Sequence, residues 1–218
     1  SRICYIVKVN DNQFQNTEEF MPVEVVSYLL SDGDEVRRIQ SQLVLQCAPF
    51  LKGIKLAAIT NMAPDACEML ERILEGSGIS FRILASGKKR CLVFLYREEA
   101  FARYIRTGKI RRFLSSYGYR GYMVKETLDR LSERIGMYSR EDISFPHEIG
   151  VFLDYPLRDV EGFIQNGGKD YLLSGYWKVY HNPERARKQF QAYDRARNEA
   201  VKELLAGKRF TEIVAWAA

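Results

Sequence analysis

The chain has 218 residues, 46% of them hydrophobic and 28% charged, a balance that fits a globular protein with a core of its own. It has no apolar run near the roughly 20 residues of a spanning helix and no opening signal-peptide pattern, so no membrane partner is expected and the expected location is cytoplasmic. The net charge of +5 is uneven: residues 100–125 carry seven cations and no acid, which leaves about −2 on the rest.

Residues 1–20 contain the polar, turn-like NDNQFQNTEEF, and Met21 follows it, so they are read as an uncertain N-terminal extension before one domain over 21–218. Pro22 to Gln46 reads as two helical segments broken at SDGDE, with Val36, Ile39, Leu43 and Val44 at helical spacing. CAPFLKGIKLAAITNM suggests a turn and then a buried strand near Ile54 to Thr60. Pro64 opens a helix in APDACEMLERILEGSG and glycines end it. Two β-rich runs flank SGKK in ISFRILASGKKRCLVFLYR, the pattern of a hairpin.

Two short helices follow, EEAFARYIRTGK and KIRRFLSSYG, and then a stronger amphipathic helix with Leu128, Leu131 and Ile135 on one face. FPHEIGVFLDYPLRDVEGFIQNGG, residues 145–168, reads as a helical hairpin, and SGYWKVYH as an extended segment. Asn182-Pro183-Glu184 starts a last long helix to about Ala206. The expected class is α+β: a helix-dominated single domain with a small, mostly antiparallel strand-helix-hairpin sheet.

Four places offer chemistry. His147 and Glu148 pair a base with a carboxylate, but a zinc-protease HExxH needs a histidine at 151, which is Val151. The alternative is that Pro146, His147 and Glu148 only form a helix's first turn. A helix-turn-helix reading of the same stretch meets a second helix where Arg158 faces Asp159 and Glu161, the wrong charge for DNA. Cys47 is a candidate nucleophile with His147, its pKa lowered by Lys52 and Lys55, against the alternative of a buried structural thiol.

The fourth is the basic block, where Arg103, Arg106, Lys109, Arg111, Arg112 and Arg120 interleave with tyrosines and phenylalanines. That mixture suits an anionic partner by stacking and phosphate contact, and SSYGYRGY reads as a Gly-Tyr loop over a ligand. The alternative is a core stripe with solvated arginines behind it. The four cysteines form no CxxC pair, so no metal site is expected, and no cofactor is indicated.

CAPFLKGIKLAAI, LVFLYR and above all FPHEIGVFLDYPLRDVEGFIQNGGKDYLLSGYWKVY resemble the bacterial family called domain of unknown function 3793 (DUF3793), over about residues 22–200. The resemblance implies a glycine where FLDYP has Asp154, and it implies no activity. It marks Cys47, His147, Glu148, Tyr176, Trp177 and Lys178 as parts of the family's strings.

The leading expectation is a small anionic ligand or cofactor in a pocket lined by the Cys47 turn, Lys55, the His147 helix start and Tyr176-Trp177-Lys178, with thiol- or histidine-assisted catalysis by Cys47, His147 and Glu148 as an extension. The alternatives are a nucleic-acid or acidic-protein binding module using 103–125, with nucleic acid not favoured, and a structural or assembly role.

Overall fold

The computed structural model describes residues 22–140 and 145–215. The extension over 1–20, Met21 and Cys4 lie outside them. Two helices lead, α1 (Val23–Leu30) and α2 (Glu35–Leu51). The Asp34 carboxylate accepts the Arg37 N–H at 3.1 Å and so caps the start of α2. The chain then forms β1 (Ala57–Met62), two short helices α3 (Pro64–Glu68) and α4 (Leu70–Leu74), and the hairpin β2 (Ser80–Ser86) and β3 (Cys91–Tyr96). Helices α5 (Glu98–Ile105), α6 (Gly108–Ser116), α7 (Val124–Arg140), α8 (Ile149–Phe152) and α9 (Leu157–Gln165) follow. A second, two-stranded hairpin, β4 (Leu173–Ser174) and β5 (Lys178–Val179), precedes α10 (Pro183–Leu205) and α11 (Phe210–Ile213). The class is α+β.

The three-stranded sheet has the order β1-β3-β2, antiparallel throughout, with Ala57 and Ser80 both opposite Tyr96 and a bulge between Ile83 and Ala85. β1 and β3 are buried at every position, so both faces of the sheet are covered. Alternation along the strands divides the apolar side chains between two cores. Ala58, Met62, Val93 and Leu95 face a layer of α2, α3, α4, α10 and α11 through Leu43, Phe50, Leu70 and Val201. Ile59, Leu92 and Phe94 face a layer of α5 to α9 through Phe101, Leu114, Leu131 and Phe152. Each of these side chains larger than alanine contributes about 1.5–3 kcal/mol on burial. The Arg97 guanidinium reaches across, donating to the carbonyls of Phe50 at 3.0 Å and Ala215 at 2.9 Å.

A third, smaller cluster sets the β4–β5 hairpin on α10, where Trp177 meets Phe190 edge-on at 4.6 Å between ring centres.

Three boundaries differ from the sequence reading. Cys47-Ala48-Pro49 is the last part of α2, not a turn, because Cys47, Ala48, Phe50 and Leu51 are all at most 1% exposed and their burial overrides the proline. The strand begins at Ala57, later than Ile54. The helix after Pro64 is split at Met69, whose N–H bonds the Ala66 carbonyl three residues back.

Candidate functional site

Helix α2 ends in a Schellman motif: the Gly53 N–H bonds the Phe50 carbonyl and the Ile54 N–H bonds that of Pro49, each at 3.0 Å. Gly53 takes φ +73, a conformation that a side chain disfavours. The next N–H, of Lys55, bonds the Pro49 carbonyl as well, at 3.1 Å. This tight cap fixes where Lys55 leaves the chain, two residues before β1.

Lys55 lines a cavity of about 20 Å³ together with Gln46, Cys47, Leu153, Tyr155 and Tyr176, a space that holds about one water. Its Nζ lies 5.1 Å from the centre of the Tyr155 ring. Burial pushes the ammonium down to about 8, with Cys47 and Asp154 pulling it back up. Burial likewise raises the Asp154 carboxyl, against the pull of Lys55 and a hydrogen bond from the Leu56 N–H. Asp154 stands at φ +62, where the family resemblance implied glycine.

The candidate residues gather unevenly. Cys47, Lys55 and Tyr176 share this cavity. Cys47 is 1% exposed and its thiol is pushed up to about 12 by burial, opposite to the lowering expected from its lysines. One of those, Lys52, is turned away to pair with Glu203. His147 is not in the cavity lining. Its ring packs against Phe145 and Phe163, at 5.5 and 5.0 Å between centres, and burial pushes its pKa below the usual range.

Glu148 is 0% exposed, and its carboxylate accepts from the Arg134 guanidinium and from the Tyr119 hydroxyl at 3.1 Å. The Trp177 indole donates to Asp159 at 2.7 Å, and Lys178 donates to the Gly168 carbonyl at 2.6 Å, so both fasten the hairpin. Asp159 was missed as an anchor: it also accepts the Tyr180 and His181 N–H groups, each at 2.8 Å.

The basic block forms a second candidate site. Arg103, Arg106, Lys109, Arg111, Arg112 and Arg120 are all exposed, and among the described residues none of the six pairs with a carboxylate. A hollow of about 440 Å³ opens beside them, lined by Gly118, Tyr119, Arg120, Gly121, Glu126 and Arg130. Arg106 donates to the Tyr122 carbonyl and Arg111 lies 4.9 Å from the centre of the Tyr122 ring, which ties the basic helices to this loop. The Arg130 Nε is buried without a hydrogen-bond partner. Three of the interleaved aromatics turn inward, Phe101 and Tyr119 at most 1% exposed and Tyr104 with its hydroxyl on the Val151 carbonyl at 3.0 Å, while Phe113, Tyr117 and Tyr122 are half-buried.

Among the described residues no group of three or more His, Cys, Asp or Glu is placed to hold a metal, and no helix is long and apolar enough to cross a membrane. Neither a curated protein nor a solved structure matches the chain. One family model does, over residues 43–214, and the chain therefore belongs to the family described as "Protein of unknown function (DUF3793)".

Proposed function

We propose that the chain binds a small phosphate-bearing ligand in the hollow between the 118–121 loop and α7. The observation that carries this is an opening of about 440 Å³ lined by two arginines, Arg120 and Arg130, and tied through Tyr122 to the exposed Arg106 and Arg111, a size in the range of small-molecule sites. Arg120 and Arg130 line it, and Arg130 retains a donor with no partner. Glu126 is the one acid in the lining, and an arriving phosphate displaces it. Single-stranded nucleic acid is the second reading, favoured by the same cations. It is the weaker one, because Phe101 and Tyr119 are buried, Phe113 and Tyr117 pack on each other, and Arg111 already covers the half-buried Tyr122 ring.

The test is calorimetric titration with pyrophosphate and a nucleoside triphosphate, alongside anisotropy of a labelled single-stranded oligonucleotide. Arg120→Glu and Arg130→Gln should each weaken polyphosphate binding about tenfold or more, a loss of about 1.4 kcal/mol. Wild-type protein that ignores both polyphosphates sinks the proposal. A tight oligonucleotide complex that weakens steeply between roughly 50 and 200 mM salt, and that Arg111→Glu with Arg112→Glu abolishes, replaces it with the nucleic-acid reading.

A further inference from the structure

Separate from the hollow, we propose that Lys55 is a carbonyl-reactive lysine whose amine forms an imine with a small aldehyde or 2-oxo acid entering the cavity it shares with Cys47, Tyr155 and Tyr176. The first ground is its lack of partners. Three buried charged groups are saturated: Arg97 donates to three carbonyls, Asp159 accepts three donors, and Glu148 holds Arg134 and Tyr119. The Lys55 ammonium has no hydrogen-bond acceptor or ion pair among the described residues. It faces the Tyr155 ring and open space. Held in a half-buried position by that ring and a water-sized space alone, the ammonium is poorly compensated, and the loss of its proton leaves a nucleophile.

The second ground is the company it keeps. Asp154 lies close enough to couple electrically to Lys55, and burial raises its carboxyl, so it can pass a proton on and take it back. With the amine near 8, about a tenth of it is free at pH 7, against well under a thousandth for an ordinary lysine. The third ground is size. About 20 Å³ admits a carbonyl group but no ring, so the reacting carbonyl sits at the end of a short chain, with the remainder at the mouth.

The chemistry is balanced without a further reagent. The nitrogen lone pair adds to the carbonyl carbon and gives a carbinolamine. The carbonyl oxygen then leaves as water, carrying the two protons that the nitrogen gives up, and the C=N bond replaces C=O. Asp154 is the positioning and proton-carrying group, through its charge on Lys55.

The test uses glyoxylate as the probe, with cyanoborohydride to reduce any imine, followed by peptide mapping. In the wild-type chain the peptide holding Lys55 should gain a carboxymethyl group at least tenfold faster than those holding the exposed Lys88 or Lys89. Lys55→Arg should abolish that fast phase and leave the slow background. Asp154→Asn should slow it at high pH, where the amine is already free, and move its pH midpoint down. Labelling at Lys55 no faster than at the exposed lysines, in the unaltered protein, overturns the proposal. Loss of polyphosphate binding at the hollow would leave this outcome untouched, so the two proposals fail separately.

Discussion

Asp159 is buried and Lys55 half-buried, and the surroundings of these two ionisable groups are opposite. Asp159 is 2% exposed, with the Trp177 indole and two backbone N–H groups on its carboxylate. Lys55 faces an aromatic ring and a cavity with room for about one water. In the first place the charge is bound and the hairpin depends on it. In the second the charge is a burden that burial works to remove. The difference separates anchoring ions from ions available for chemistry.

The largest expected effect breaks the saturated side. Asp159→Ala orphans three donors at once and should cost about 3–5 kcal/mol in chemical denaturation, releasing the hairpin that carries Trp177. A loss below about 1 kcal/mol would mean that aromatic packing on Phe190, not the carboxylate, holds that hairpin.

Next comes the unsaturated side, where the sign reverses. The unfolded chain keeps the Lys55 proton up to about 10.5 while the folded chain releases it near 8. Between these values the unfolded state holds more protons, so stability rises with pH. Cys47 runs the other way, since its folded thiol holds its proton to about 12 against 9 unfolded, and stability falls across that range. Wild-type stability should therefore rise only from about pH 8 to 9 on account of these two groups. Lys55→Met should stabilise the protein by up to about 3 kcal/mol below pH 8, an advantage that fades by about 10.5. Denaturation midpoints measured across that range check it, and a destabilised Lys55→Met would show that the ammonium is held after all.

A smaller effect sharpens the contrast with the surface. Arg111→Glu with Arg112→Glu should change stability by no more than about 0.5 kcal/mol, since both groups are exposed and neither pairs with a carboxylate. Thermal melts at two salt concentrations would show it. The smallest effect belongs to Asp154→Asn. It removes a charge that pulls the Lys55 pKa up, so the pH midpoint of glyoxylate trapping should fall below about 8.

Local pattern made much of this fold readable. The SGKK hairpin, the helices after Glu98 and the Asn182-Pro183 start follow from periodicity and capping, which depend on near neighbours. The end of α2 did not, because Pro49 in a last helical turn keeps the carbonyl that the cap uses, and only core packing shows that the helix continues. The candidate sites split the same way. Cys47, Lys55 and Tyr176 each stood out by residue type, and they line one cavity. Asp154 and Tyr155 join Lys55 from about a hundred residues away, a meeting that no spacing in the sequence encodes. His147 stood out too, yet its ring is set among Phe145 and Phe163, outside that cavity lining.

β3 lies between β1 and β2 and beneath both helical layers, and the outer strand β1 is itself blunted where Gln42 donates to the Asn61 carbonyl at 2.8 Å. Its amides therefore have no route to water short of separating the whole molecule. The two helical layers share that strand, so neither can melt and leave the other intact. A molecule that tightens α7 and one that tightens the turn at Lys55 must both slow hydrogen exchange at Leu92 to Leu95, which makes β3 a common reporter for events on opposite sides of the protein.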